Sequence, residues 1–263
     1  MRPFLLKGDE AMNNLEFVEK LKDIAENYKT LYVMGCFGAP LNDKNKERYC
    51  KNHKYNRQPE RTAMIKSATA DTFGFDCVCL IKGVLWGWCG EKSKNYGGAK
   101  YISNGVPDIG ANSMIKKCKN VTTDFSKIKV GEALWCEGHI GVYIGNGLAV
   151  ECTPRWKNCV QITAVANIGQ KAGYNARKWT KHGQLPYITY KAETSAEEHR
   201  IGDTVNFVGN THYVSANSTA GKPCKPGKAV ITSIAKGKHP VHLKKVAGGG
   251  STVYGWVDLA DIE

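Results

Sequence analysis

From Asn14 to Tyr28 the apolar positions return every three or four residues. Leu15, Val18, Leu21 and Ile24, with Ala25, share one face and charged residues the other. That period predicts an amphipathic helix. Thr30–Val33 is a short apolar run broken by Gly35-Cys36-Phe37-Gly38. Asp76 is a good N-cap for a second helix from Cys77 to about Trp88. Gly90 to Asn120, with Gly97-Gly98, Gly105 and Pro107-Asp108, reads as loop. From Gly131 the pattern shortens to strands over Ala133–Glu137, His139–Ile144, Leu148–Glu151 and Cys159–Thr163, with Asn146-Gly147 as a hairpin turn. Helices followed by an antiparallel meander give an α+β class.

Lys191–Glu198 is polar and without period, which marks a linker. Beyond it, Thr204–Val208, Tyr213–Ser215, Ala229–Ile234, His242–Val246 and Thr252–Val257 are strand-like runs separated by Gly and Pro turns. They predict a small all-β barrel. The expected organisation is a first domain over 1–190, a linker over 191–198 and a second domain over 199–263, within a length of 263 residues that suits two domains.

Composition adds a core and a charge. Hydrophobic residues make up 42%, enough to pack an interior, and the net charge is +13. Residues 42–66 carry eight basic side chains against Asp43, Glu47 and Glu60, among four asparagines and few apolar residues. The stretch reads as a solvated loop. It is either plain surface or an attractor for a polyanion. Bacterial wall polymers fit that role, and no nucleic-acid recognition motif is present. No apolar run of about 18 residues suggests a membrane span. The stretch Met1–Asp9 turns charged too early for a secretory h-region, which points to a cytosolic chain or release by another route. The ten cysteines lack framework spacing and are expected to be reduced thiols. Cys77-Val78-Cys79 is a weak zinc signal, and neither a metal nor another cofactor is expected.

The chemistry concentrates in two segments. Cys77 stands in the first turn of its helix, where free N–H groups and the helix dipole favour a thiolate. Cys79, roughly 200° round the helix, is expected to pack in the core. His139 opens a strand, and Glu151 lies twelve residues on, across the turn at 145–147. Positions symmetric about that turn approach each other, so Glu151 is the expected orienter of His139. It would also keep the imidazole charged and support a thiolate–imidazolium pair. A carboxylate ending the apolar run Leu148-Ala149-Val150 has no packing purpose. His53, His182, His199, His212, His239 and His242 fit a catalytic role less well.

These residues resemble the NlpC-type cell-wall cysteine peptidases of the papain-like fold. Asp76-Cys77-Val78-Cys79-Leu80 is similar to the family's nucleophile motif Asp-Cys-Ser-Gly-Leu, and His139-Ile140-Gly141-Val142-Tyr143-Ile144-Gly145 to its histidine motif. Glu151 falls where the family places its third polar residue, more often His, Asn or Gln there. Tyr32-Val33-Met34-Gly35-Cys36 is similar to a Tyr-x-x-Gly-Gly element, which makes Tyr32 a candidate oxyanion donor across an unusually long basic stretch. The second domain resembles bacterial SH3-like wall-binding modules, with Phe207, Tyr213, Tyr254 and Trp256 as candidate wall contacts. The resemblance implies a phage-endolysin-like enzyme that cleaves a stem-peptide amide of peptidoglycan, as a D-glutamyl endopeptidase. An N-acetylmuramoyl-L-alanine amidase, a protein transamidase or deamidase, and a non-catalytic wall-binding protein stay open. Oligomeric state is not readable from the sequence.

Overall fold

Asn13 starts the first helix by supplying partners for its orphan amides. Its Oδ1 accepts from Leu15 and Glu16 N–H, and Glu16 reaches back to the Asn13 N–H. This capping box opens α1 (Asn14–Asn27), which buries Phe17, Val18, Leu21 and Ile24. Burial of each such side chain contributes about 1.5–3 kcal/mol. The computed structural model describes residues 12–191 and 199–262. The chain divides into two compact units, Met1–Lys191 and Ala192–Glu263. The expected linker, Lys191 apart, lies outside the described residues, as does Met1–Asp9.

In the first unit, β1 (Thr30–Tyr32), β2 (Phe37–Pro40) and β3 (Phe73–Phe75) form a three-stranded sheet in the order β1-β3-β2. The pairing of β1 with β3 is parallel and sets Tyr32 level with Phe75. The intervening basic stretch is not the solvated loop expected from its composition. It folds into α2 (Asp43–Asn52) and α3 (Pro59–Ser67), with Tyr49, Ile65, Asn56 and Arg61 buried. Polar bonds tie this hairpin down. Asn56 accepts from the Met34 N–H at 3.0 Å and donates to the Met34 carbonyl at 2.9 Å, while Arg61 donates to the Tyr32 carbonyl and to Asn158 Oδ1.

Next comes α4 (Cys77–Leu85), whose nine residues are all buried, as an apolar helix requires. It ends at Trp86 rather than Trp88, where Gly87 turns into the left-handed region at φ +88°. The segment expected to be loop then contains α5 (Ala111–Lys117) and β4 (Lys119–Thr122). The meander follows as β5 (Ala133–Cys136), β6 (His139–Gly145), β7 (Leu148–Thr153) and β8 (Cys159–Val165). Two short strands, β9 (Ala176–Arg177) and β10 (Lys181–Gln184), complete a seven-stranded sheet in the order β4-β10-β5-β6-β7-β8-β9. The α4 helix packs on β6 and β7, which brings Cys77 to the sheet. His182 is buried on β10, its ring held between the Glu132 carboxylate and the Asp124 carbonyl.

The second unit is a six-stranded antiparallel sheet in the order β11-β14-β15-β16-β12-β13. Its strands are β11 (Thr204–Phe207), β12 (Thr211–Tyr213), β13 (Gly221–Pro223), β14 (Gly227–Ile234), β15 (Val241–Lys245) and β16 (Tyr254–Val257). β13 reads as turn in sequence, because Gly-Lys-Pro lacks any apolar alternation. Val205, Phe207, Ile231, Val241, Leu243 and Val257 are among its core residues. Phe207 is fully buried there, so it is not an exposed wall contact. Helices and sheets together make the chain α+β.

Candidate active site

Asp76 caps α4. Its Oδ1 accepts from the Cys79 N–H and its Oδ2 from the Gly35 N–H, each at 2.7 Å. Cys77 is thereby the first residue of the helix and is 7% exposed. It lines a cleft of about 570 Å³ shared with Tyr32, Met34 and Gly138. Cys79 is buried as expected.

The electrostatics differ from the expected ones. Burial, and then the negative charge of Asp76, push the Cys77 thiol up to about 12. The N–H groups of Ile140, Val78 and Cys77 oppose this without reversing it. Burial, with the same aspartate that completes the helix start, therefore outweighs the helix's attraction for a thiolate. A thiol held up in this way attacks once a base takes its proton.

His139 stands at the start of β6, one residue before Ile140, whose N–H approaches the Cys77 sulfur. Its Nε2 is 2.7 Å from Glu151 Oε2, leaving Nδ1 as the nitrogen for a thiol proton. The ring lies nearly parallel to Trp179, with centroids 5.6 Å apart. His139 and Glu151 are not direct cross-strand partners. The β6–β7 register pairs Val142 with Val150. One more step places Gly141 opposite Glu151, so the His139–Glu151 bond runs diagonally. Gly141 keeps that diagonal open, because a Cβ there would stand 3.2 Å from Glu151 Cβ and 3.0 Å from the Trp179 ring.

Glu151 is fully buried and fully bonded. Thr163 Oγ1 donates to Oε1 at 2.7 Å, and Arg177 Nε donates to Oε1 and Oε2 at 3.1 and 2.8 Å. Burial alone would raise its pKa. The bond and charge of His139, the charge of Arg177 and the Thr163 hydroxyl outweigh that, and the carboxyl titrates below its usual range.

Arg177 is the residue that sequence reasoning missed. It sits over the rings of Trp156 and Trp179, at 5.0 and 5.4 Å from their centroids. The two-residue strand β9, parallel to β8, brings it there from across a turn. The one local signal was Glu151 itself, since a carboxylate in an apolar strand needs a cation.

Tyr32 lies within the same cleft. Its hydroxyl makes only a long contact, 3.9 Å, to Met34 Sδ. Burial first, and with it the negative charge of Asp76, keep the phenol protonated and able to donate. The hairpin of α2 and α3 does not separate Tyr32 from the cysteine. β1 and β3 run side by side, and the hairpin contributes Arg48 and His53 to the lining of the same cleft.

In the second unit Tyr254 is 63% exposed and Trp256 is half-buried. Trp256 is paired in register with both Tyr213 and His242. Tyr213 is half-buried and stacks on His239 at 3.4 Å. None of the three belongs to that unit's core.

All ten cysteines are free thiols. Among the described residues, no group of three or more His, Cys, Asp and Glu side chains could hold a metal ion, and no helix is long and apolar enough to cross a membrane. No protein-family model matches the chain, and no curated protein matches it.

Proposed function

We propose that the chain is a cysteine peptidase of the NlpC type, with a papain-like first unit and an SH3-like second one, that cleaves a stem-peptide amide of bacterial peptidoglycan. One observation carries the reading. A cysteine at a helix start opens into a cleft beside the strand on which a histidine is bonded to a buried, charge-compensated glutamate.

Cys77 Sγ attacks the carbonyl carbon while His139 Nδ1 takes the thiol proton. The Cys77 N–H and the Tyr32 hydroxyl receive the oxyanion; one such donor typically contributes about 3 kcal/mol. His139 then gives its proton to the leaving amine and the C–N bond breaks, leaving a thioester. Water, deprotonated by His139, releases the acid and restores the thiol. Glu151 holds His139 in the tautomer this needs, and Arg177 holds Glu151 ionised.

Tyr213, Tyr254 and Trp256 are proposed to contact the wall, and the basic surface to favour its anionic polymers. The chain would act as a phage endolysin does, accumulating in the host cytoplasm and reaching the wall after release. A D-glutamyl endopeptidase is the preferred bond specificity. Mass spectrometry of digested muropeptides tests it: a new amino terminus beyond D-glutamate is expected, and a free lactyl carboxylate on muramic acid identifies an amidase instead. Deamidation of protein glutamine without wall lysis would place the chain in another class.

A further inference from the structure

The cleft is lined by two cations, Arg48 and Lys82, and two anions, Asp76 and Asp108, but they are not all paired with one another. Asp76 spends both oxygens on backbone amides. Asp108 is bonded by Lys82 and by the Tyr101 hydroxyl, which also occupies Lys82. Arg48 and His53, both from the α2–α3 hairpin, remain. Neither forms an ion pair with a carboxylate of the described residues.

Arg48 is nonetheless held in place. Its guanidinium donates to the Tyr96 hydroxyl and lies 5.3 Å from that ring's centroid. Tyr96 in turn stacks on Phe37 at 4.2 Å and takes a left-handed backbone at φ +55°, a conformation unusual for tyrosine. One nitrogen of Arg48 is used, and its remaining donors meet no anion among the described residues. His53 accepts the Tyr55 N–H at Nδ1, so its Nε2 carries a proton and is a second donor. An exposed guanidinium anchored by Tyr96, on the same cleft as an imidazole donor, suits a planar carboxylate.

From this we infer that Arg48 and His53 form a subsite for a free carboxylate on the substrate, next to the amide presented to Cys77. The inference rests on the proposed hydrolase reading for its choice of ligand. It adds that the chain selects stem peptides whose D-glutamate carries a free α-carboxylate over those in which that group is amidated. A carboxamide forms weaker hydrogen bonds to Arg48 and brings no charge.

The test separates binding from turnover. The Cys77→Ala chain is titrated calorimetrically with L-Ala-γ-D-Glu-L-Lys and with the same peptide bearing the α-carboxamide. The acid is expected to bind about tenfold or more tightly, the scale of one charged hydrogen bond. Arg48→Gln should erase the preference, and Tyr96→Phe, which frees the guanidinium, should reduce it. Lys54→Gln, an exposed cation of the same hairpin outside the cleft, should leave it intact. Equal affinity for the two peptides, no binding of either at millimolar concentration, or an unchanged preference in Arg48→Gln would overturn the subsite. Turnover by the unmutated chain with equal affinities would leave the hydrolase reading standing while the subsite fails. Selective binding without turnover would do the reverse.

Discussion

Replacing Arg177 by Met should weaken the acid-side pH dependence of stability in the first unit. Glu151 is fully buried, and among the described residues Arg177 is its one permanently charged partner. In the native chain the Glu151 pKa is lowered. Its contribution is therefore present above the unfolded value of about 4.3 and lost as pH falls through the folded one. Without Arg177 one of the groups opposing burial is gone, and the folded pKa rises toward the unfolded one. The deficit of the variant relative to the native chain is therefore greatest near neutral pH and shrinks as pH falls, by up to about 1.4 kcal/mol per unit for one proton. Near pH 7 the loss should reach about 3–5 kcal/mol, the usual consequence of stranding one member of a buried pair. At about 2–4 °C per kcal/mol for a unit of this size, the midpoint drops by roughly 6–20 °C. Tryptophan fluorescence suits the assay, because Trp86, Trp88, Trp135, Trp156 and Trp179 all lie in the first unit. Urea melts at steps from pH 3 to 7 should give midpoints that converge in acid and separate toward neutral pH. Parallel profiles would refute the argument that Arg177 compensates Glu151.

Because burial and Asp76 push the Cys77 thiol up to about 12, alkylation of Cys77 by iodoacetamide, followed by peptide mass spectrometry, should be slow at pH 7 and quicken with each unit of rising pH. A fast plateau from mildly acidic pH would signal a preformed ion pair. Gly141→Ala should press a methyl group against Trp179 and Glu151, destabilising the unit by about 1–3 kcal/mol and lowering kcat more than it raises KM. An unchanged kcat would show that the diagonal does not set the His139 position. Tyr254→Ala should weaken sedimentation with purified walls while shifting the second unit's stability by less than about 0.5 kcal/mol, as expected for an exposed side chain. Undiminished binding would remove Tyr254 from the wall surface.

The residues that were legible in the sequence are those whose role is set locally. Asp76 and Cys77 announce a capped helix, and His139 and Glu151 flank a turn signal, so short-range rules bring them together. Arg177 was not legible, because a two-residue parallel strand makes its contact and leaves no period. The hairpin over 43–67 was misread because polar residues hold it. Asn56 and Arg61 bond to the Tyr32–Met34 backbone, and such long-range bonds give no apolar pattern. Phe207 was misplaced although alternation with Val205 assigns both to one face, and that face is the core. Asp76 shows how one side chain can be read correctly in one respect and wrongly in another. Its capping geometry follows from the sequence, but the effect of its charge on Cys77 depends on how deeply both are buried.

The central claim is that Cys77 carries out the bond cleavage. Purified walls incubated with the unmutated chain should lose turbidity and release new amino groups. Cys77→Ala, at equal concentration and with unchanged melting, should sediment with the walls and release none. Equal clearance by Cys77→Ala would contradict the account.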